Sequence, residues 1–258
     1  MTDYQQRGIE AFKEKNGYVI DDVWYPRVTS ILSVKAKPAL YRYYASLNSF
    51  AEGEKIMEKS ADEGTRVHEA AEAIFTGKEP VIADDIAPAV KALKEFLDER
   101  NIQVDSDWVE RRILNHNDRY AGTIDSVALI DGKLGVLDIK TSSGIFRDYN
   151  LQLAAYFPPL QAELRNIQTR WILRVDQNQL CSICNSTKRT KGGRVSTKAP
   201  YPKNGVDYRF CQHEWSDTRG VIELKEFPYW QDDYQAFLGA KKLWEWDNIT
   251  KLKKIGYL

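Results

Sequence analysis

Two acidic residues and a lysine stand on neighbouring strand-like segments. A Gly-Thr-Ile-Asp125 run lies in one segment, and Asp138-Ile-Lys140 lies in the next, beyond an Asp-Gly turn. Residues two apart on a strand share a face, so Asp138 and Lys140 should point together, and Asp125 should face Asp138 across the ladder. Carboxylates and an ammonium among apolar residues are costly unless a cation or substrate uses them. The oxygen ligands suit Mg²⁺ held against a phosphate, with Lys140 orienting or helping to deprotonate the attacking water.

Two further segments carry polar side chains at helical spacing. His68 has Glu69 and Glu72 beside it and offers a nitrogen ligand, which would widen the choice of metal to Mn²⁺. Gln152 and Tyr156 are four residues apart and therefore share one face of the helix after the Asp-x-Lys strand. Taken singly, each motif is more often an ordinary helix residue or a surface ion pair. The four together favour a site.

The four motifs resemble, in type and order, the RecB-type branch of the PD-(D/E)xK nuclease superfamily. Relatives in that branch include the RecB and AddB nuclease domains, phage exonucleases and the mitochondrial genome maintenance exonuclease. The resemblance covers about residues 60–175 and rests on four motifs, namely Gly64-x3-His68, Gly122-x2-Asp125, Asp138-x-Lys140 and Gln152-x3-Tyr156. It implies an α/β fold with a restriction-endonuclease-like core, a mixed central sheet flanked by helices.

The resemblance also implies roles for the site residues. The implied metal ligands, for Mg²⁺ or Mn²⁺, are His68, Asp125, Asp138 and the carbonyl of Ile139. The implied catalytic and substrate-contacting side chains are Asp125, Asp138, Lys140, Gln152 and Tyr156. The implied reaction is hydrolysis of a phosphodiester by metal-activated water, without a covalent enzyme intermediate.

All three cysteines of the chain fall within residues 178–218. Cys181-x2-Cys184 followed by Cys211-x-His213 offers four ligands, enough for a closed tetrahedral zinc site. A stretch of about forty residues between strands needs something to organise it. We therefore predict a zinc-binding insertion at 178–218 within a single domain spanning 1–258, with incidental reduced cysteines as the alternative. Several superfamily members hold an iron–sulfur cluster, but no cysteine precedes Cys181 to supply its first ligand.

The insertion also carries basic residues without an acidic residue among them. They are Lys188, Arg189, Lys191, Arg194, Lys198 and Lys203. Phosphate contacts dominate affinity for nucleic acid, so we predict that the first four bind DNA, with Gly192-Gly193 admitting the phosphate chain. Tyr41 and Arg42 belong to a basic and aromatic segment of the kind that binds single strands. The alternatives are a solvated basic loop and an ordinary surface helix.

Composition excludes several classes of protein. The 258 residues include 37 Lys plus Arg against 37 Asp plus Glu, and zero net charge argues against a basic protein that coats nucleic acid. An odd number of cysteines argues against a secreted disulfide framework. No signal-peptide pattern begins the chain, and no apolar run approaches the roughly 20 residues of a membrane span. We expect an intracellular, cytoplasmic protein without a membrane partner, and a phage-encoded origin would be compatible.

The spacing of apolar residues predicts the elements that must position these side chains. Predicted helices span 3–16, 38–75 with breaks at Gly53 and Gly64, 85–100 capped by Asp85, 148–165 interrupted or kinked at Pro158-Pro159, and 230–246. Predicted strands span 18–25 as a hairpin, 104–114, 120–130, 134–141, 171–175 and 221–227. The order indicates an α/β core with a helical amino-terminal half.

The functional prediction is a metal-dependent DNA nuclease. The favoured form is an exonuclease acting on single-stranded DNA or DNA ends in replication, recombination or repair, with proteins of those processes as partners. Two alternatives stay open. One is a structure-specific or sequence-specific endonuclease of the same superfamily, and the other is a non-catalytic, zinc-dependent DNA-binding module.

Overall fold

The protein, seen in a computed structural model that describes residues 3–200 and 208–258, is a mixed α/β structure. The helices are α1 (Asp3–Asn16), α2 (Val28–Ile31), α3 (Pro38–Ala45), α4 (Phe50–Phe75), α5 (Ala87–Glu99), α6 (Tyr149–Glu163), α7 (Gln231–Asp247) and α8 (Ile249–Lys254). The strands are β1 (Gly17–Ile20), β2 (Val23–Pro26), β3 (Gln103–Val104), β4 (Arg112–Asn115), β5 (Tyr120–Thr123), β6 (Ser126–Ile130), β7 (Lys133–Lys140), β8 (Thr169–Leu180), β9 (Thr187–Lys191), β10 (Arg194–Lys198) and β11 (Arg219–Glu226).

A seven-stranded sheet forms the centre of the fold. Its strands follow the order β10-β9-β8-β7-β6-β3, and β11 pairs with the first part of the long β8. Strands β7 and β8 are parallel, with α6 as the crossover between them, and the other pairs in this sheet are antiparallel. The predicted mixed central sheet flanked by helices is therefore confirmed. Among the described residues, no helix is both long and apolar enough to cross a membrane.

Helices cover both faces of the sheet, and β7 contributes to both apolar layers. Val136 packs with residues of α2, α6 and α7 on one face. Leu137 and Ile139 pack with α4 and α5 on the other. The alternation expected of a strand holds, and Asp138, on the face of Val136, is consequently buried under α6 with 1% of its surface exposed.

Helix α4 runs unbroken from Phe50 to Phe75, so the predicted breaks at Gly53 and Gly64 are wrong. Both glycines instead let side chains from other elements pack close to the helix backbone. A Cβ on Gly53 would lie 2.4 Å from the Tyr44 ring, and one on Gly64 would lie 3.0 Å from Thr141 Oγ1. The cost of a glycine inside a helix, about 1 kcal/mol relative to alanine, is offset here by packing.

Helix α6 is also continuous, although Pro158 and Pro159 lie inside it. A proline removes the hydrogen bond to the carbonyl four residues earlier. For Pro159 that carbonyl belongs to Ala155, and it accepts a hydrogen bond of 2.7 Å from the Tyr120 hydroxyl. The predicted interruption is wrong, because a buried tyrosine from β5 replaces the missing donor, and the alternative of a kink stays a prediction.

The predicted cap of α5 has another role. The helix begins at Ala87, and no side chain caps it. Asp85 instead receives two hydrogen bonds from the Arg66 guanidinium, at 2.6 and 2.8 Å. This ion pair joins α4 to the segment that precedes α5, and it lowers the pKa of Asp85.

Two predicted strands are broken at the site. The segment 104–114 forms β3, a 3₁₀ turn at Ser106–Trp108 and β4, and the segment 120–130 forms β5 and β6 with a bend at Asp125. Strands β4 and β5 pair with each other in a separate two-stranded sheet. The bend lets the chain pass from that sheet into the central one, and it removes Asp125 from the ladder.

Close packing of α5 on β11 generates the first prediction. A Cβ on Gly220 would lie 2.3 Å from the backbone oxygen of Pro88, so Gly220→Ala should lower the free energy of unfolding by about 1–3 kcal/mol. Gly239 lies in α7 with nothing within 4 Å of a Cβ, so Gly239→Ala should raise stability by up to about 1 kcal/mol. Urea unfolding of both variants measures the difference, and equal effects would contradict the packing argument.

Candidate active site and metal centres

Asp125 is held at the edge of the central sheet by the backbone of β7. Its Oδ2 accepts a hydrogen bond of 2.6 Å from the Ile139 N–H. The same oxygen lies 3.6 Å from Nδ1 of His68, which projects from α4. The prediction that Asp125 faces Asp138 across the ladder is therefore wrong. The Asp125 side chain instead accepts a hydrogen bond from the backbone of Ile139, the residue after Asp138.

Asp138 and Lys140 form a buried ion pair on β7. Lys140 Nζ lies 2.5 Å from Asp138 Oδ2, and the side chains are 18% and 2% exposed, respectively. Apart from this ion pair, neither carboxylate oxygen of Asp138 has a hydrogen-bond partner among the described residues. An under-satisfied buried carboxylate is costly, and an additional cation would relieve that cost.

Gln152 and Tyr156 extend from Lys140 along one face of α6. Lys140 Nζ donates to Gln152 Oε1 at 3.2 Å, and Gln152 Nε2 donates to the Tyr156 hydroxyl at 3.0 Å. Tyr156 packs directly over Gly122, where a Cβ would lie 2.5 Å from its ring. The structure therefore joins three of the predicted motifs in one contiguous group, and Gly122 is required by the tyrosine above it.

Glu110 belongs to the site but was missed by the sequence analysis. Its carboxylate, the His68 ring and the Asp125 carboxylate offer ligand atoms within 4.8 Å of one another. His68, Glu110 and Thr141 line a cavity of about 540 Å³. Glu110 has a positive φ of 49°, and its N–H donates to the Asp125 carbonyl at 3.0 Å. Glu110 lies inside the predicted strand 104–114, which the structure breaks between Trp108 and Arg112, so the expected strand alternation gave no signal for it.

Burial and mutual repulsion shift the titration of the acidic groups. Partial desolvation raises the pKa of Glu110 to about 7, although the residue stays exposed, with further contributions from the nearby carboxylates. Burial also raises the pKa of Asp125, and it raises that of Asp138 to about 6 against the opposing effect of Lys140. Burial lowers the pKa of His68. A neutral imidazole beside carboxylates that resist ionisation is an arrangement that a divalent cation would stabilise.

Lys140 stays charged despite its burial. Burial alone would lower its pKa, but the carboxylates of Asp138 and Asp125 outweigh that effect and raise it. The ring of Tyr149 lies under the ammonium, with its centroid 5.2 Å from Nζ. Lys140 can therefore act as a fixed positive charge and not as a base in this state.

The cysteine cluster is assembled as predicted. Cys181, Cys184, Cys211 and His213 offer ligand atoms within 4.8 Å of one another, a group that could hold a metal ion. The Sγ atoms of Cys181 and Cys211 are 3.9 Å apart, and Cys184 Sγ lies 3.4 Å from His213 Nδ1. Cys181 and Cys184 are fully buried. Three sulfurs and one nitrogen at these separations fit a tetrahedral zinc site.

The thiols of this cluster cannot all ionise without a cation. Burial opposes ionisation of Cys181, but hydrogen bonds from the Cys184 backbone and His213 lower its pKa to about 6. Burial and the neighbouring thiols raise the pKa of Cys211 to about 12. A metal ion would allow all three to bind as thiolates, because its charge offsets their repulsion.

Part of the insertion folds as a hairpin of β9 and β10 that packs against α4, next to the candidate active site. Gly192 and Gly193, at φ values of 59° and 79°, form the turn between β9 and β10. The Gly192 N–H donates to Glu63 on α4 at 2.8 Å. A Cβ on Gly192 would lie 2.3 Å from the Ile56 carbonyl oxygen. Gly192 and Gly193 therefore form a turn, and Gly192 also packs against α4.

The predicted DNA-binding cations of the insertion each have an intramolecular neighbour. Lys188 Nζ lies 5.0 Å from the Trp215 ring centroid, and Arg194 lies 4.4 Å from that of Tyr43. Lys191 lies 3.7 Å from Glu63 Oε2. Their binding of DNA stays a prediction.

Arg189 links the insertion to the active site. Its Nε lies 2.8 Å from Asp176 Oδ2, and its guanidinium donates to the Thr141 carbonyl at 2.9 Å. Lys198 Nζ donates to the Ser143 carbonyl at 3.0 Å. Both contacts hold the chain just beyond Lys140.

Tyr41 and Arg42, the other two predicted nucleic-acid contacts, lie on α3. Tyr41 is 62% exposed, and Arg42 beside it is exposed as well. Lys203 lies outside the described residues. Contact of Tyr41 and Arg42 with a single strand stays a prediction.

Comparisons with known proteins do not name a family for this chain. No protein family matches the sequence, and no curated protein does. Among solved structures, the chain is similar to one described as "Crystal structure of SSO0001", with a TM-score of 0.28 and 14% identity over 80% of each chain. Inference about the site therefore rests on its own geometry.

Glu110 provides a pH-dependent prediction for the metal-free protein. Its pKa is raised from 4.5 to about 7 on folding, so the folded state loses stability as pH rises through that window and the carboxylate ionises. Glu110→Gln should therefore melt at a higher temperature than the unaltered protein above pH 7 in chelator, and at the same temperature below about pH 4.5. Added Mn²⁺ should reverse the order, because the variant lacks a ligand. A pH-independent difference would contradict this assignment.

The cysteine cluster makes a prediction about bound metal. His213→Ala should reduce zinc content from about one equivalent per chain to below half an equivalent, because a ligand of the closed site is lost. His116→Ala is the matched control, since His116 lies outside both ligand groups and contacts the Tyr25 hydroxyl at 3.4 Å. Elemental analysis of protein purified without chelator measures both. Equal zinc content in the two variants would contradict the assignment.

Proposed function

We propose that the protein is a metal-dependent DNA nuclease with a PD-(D/E)xK core of the RecB-like type. The observation that carries the proposal is the buried Asp138 carboxylate, which has no partner among the described residues apart from the Lys140 ammonium. His68, Glu110 and Asp125 cluster close by. A site for divalent metal next to a fixed ammonium suits reactions in which negative charge develops on phosphoryl oxygens.

The donor set is suited to Mg²⁺ or Mn²⁺. His68, Glu110 and Asp125 would hold the ion, since carboxylates suit both metals and the imidazole favours Mn²⁺. Asp138 lies outside that group of three and remains a further proposed ligand, because its buried carboxylate has no partner among the described residues apart from Lys140. The Ile139 carbonyl remains a proposed ligand. A divalent cation held there would neutralise phosphoryl oxygens and activate water.

The side chains around that position would orient the reactants. The Lys140 ammonium, fixed by Asp138 and Gln152, would stabilise the charge that develops on a phosphoryl oxygen and orient the attacking water. Gln152 and Tyr156 are joined at 3.0 Å and would position the strand along α6. Because each group is already placed, little reorganisation would accompany the reaction.

The proposed substrate is DNA, acted on from an end or as a single strand in replication, recombination or repair. Zinc bound by the Cys₃His group would be structural, holding the hairpin of the insertion against α4 and the chain beyond Lys140. An endonuclease of the same superfamily would use the same chemistry on DNA without ends. A non-catalytic DNA-binding module would bind DNA and leave it intact.

Cleavage of labelled DNA by matched lysine variants tests the proposal. Lys140→Ala should reduce cleavage with Mg²⁺ or Mn²⁺ by about 10²-fold or more, since a preorganised charge is lost. Lys133→Ala is the control, because Lys133 lies at the opposite end of β7 and pairs with Glu226 at 2.9 Å. Full activity of Lys140→Ala would contradict the assignment.

The form of the DNA separates the alternatives in the same assay. Degradation of linear single strands with circular DNA left intact would identify an exonuclease, and cleavage of circles an endonuclease. Binding of every form without cleavage by the unaltered protein would instead support the DNA-binding module.

A further inference from the structure

A second cavity lies beside Lys140, with a lining distinct from that of the acidic cavity. Its volume is about 560 Å³, within the range of sites for small organic groups. Gln152 lines it and accepts a hydrogen bond from Lys140 Nζ at 3.2 Å. Tyr149 also lines it, with its ring centroid 5.2 Å from the same nitrogen. The cavity thus adjoins the ammonium that we place at the scissile phosphate.

The cavity presents an aromatic ring that is accessible from solvent. Phe146, in the loop between β7 and α6, lines the cavity and remains 51% exposed. Its ring meets Tyr149 edge to face, with centroids 5.8 Å apart and planes at 76°. Leu32, Leu40 and Leu151 supply apolar surface around it. The Phe146 ring is supported by Tyr149, and its exposed face is available to stack on a base.

The charge of the lining complements a phosphate chain. Three cations, Lys35, Lys37 and Arg147, line the cavity against the carboxylate of Asp148. Asp148 is paired with Lys35 at 2.9 Å. The net charge of the cavity lining is therefore positive, although the whole chain carries no net charge. An apolar cavity with a cationic lining fits a nucleotide, whose base is apolar on its faces and whose phosphate is anionic.

We propose that this cavity receives the base of an unpaired nucleotide next to the scissile phosphate, stacked on Phe146. The inference rests on the proposed nuclease function and adds a substrate preference to it: a single strand, with one base removed from its neighbours. A paired base could not enter without first leaving its duplex. The cavity therefore favours unpaired DNA over intact duplex.

Binding of an oligonucleotide in chelator tests the proposal without any cleavage. The probe is a fluorescent thymidine strand of about 12 nucleotides, a length within common single-strand site sizes. Phe146→Ala should weaken binding about tenfold, and Phe146→Trp should bind as well as the unaltered protein, since any aromatic ring can stack. Trp246→Ala, which removes an exposed aromatic residue of α7 outside the cavity, should leave the affinity unchanged.

An abasic scan of the same strand identifies the stacked nucleotide. Removing the base at one position should weaken binding to the unaltered protein about tenfold and have no further effect on Phe146→Ala. Equal melting temperatures for the variants would show that each is folded. Additive losses from the two changes, or no loss from either, would overturn the proposal, as would failure of the unaltered protein to bind the strand.

The cleavage assay keeps this inference separate from the proposed function. Cleavage of DNA without coupling between Phe146 and any base would overturn the base site alone. Coupled binding without cleavage in Mg²⁺ or Mn²⁺ would overturn the nuclease function and leave the base site in place.

Discussion

The ion pair of Asp138 with Lys140 is the constraint around which the site is built. Burying two charges in the centre of a sheet costs several kcal/mol per ion before their attraction is counted. Strand β7 places both on one face, under α6, while Leu137 and Ile139 enter the apolar layer of the opposite face. The lysine meets one carboxylate oxygen and leaves the rest of the Asp138 carboxylate without a hydrogen bond. A further cation beside these unsatisfied acceptors would lower the cost of burying the carboxylate.

Close approach by glycine determines where the surrounding groups lie. Gly122 lets Tyr156 pack over β5, and Gly64 brings α4, with His68 one turn later, against Thr141 beyond Lys140. Any side chain on Gly122 would displace the tyrosine and, through it, Gln152. The glycines of the sequence motifs therefore act by lacking a side chain, and Tyr156 and Thr141 occupy the space that this leaves.

The cysteine insertion contributes to the same centre from outside. Its hairpin meets α4 through Gly192 and Glu63, and Arg189 reaches the Thr141 carbonyl while pairing with Asp176. The basic residues that are typical of a DNA-binding loop thus also make structural contacts, which hold the chain after Lys140. A metal in the Cys₃His group would therefore stabilise the candidate site indirectly, by ordering the insertion that contacts it.

The sequence by itself determined most of the helices and the central strand β7, and it identified most of the polar side chains that meet in the candidate site. Alternation on β7 correctly separates Asp138 from Leu137 and Ile139, and helical spacing correctly places Gln152 beside Tyr156, because both patterns depend on local backbone geometry. The cysteine spacing likewise anticipates the cluster. Only the tertiary structure decided the rest. Glu110 joins the site from a break between strands, and Tyr120 from β5 satisfies the carbonyl that Pro159 leaves free, so α6 continues. These outcomes depend on contacts between residues far apart in the chain, which no local pattern encodes.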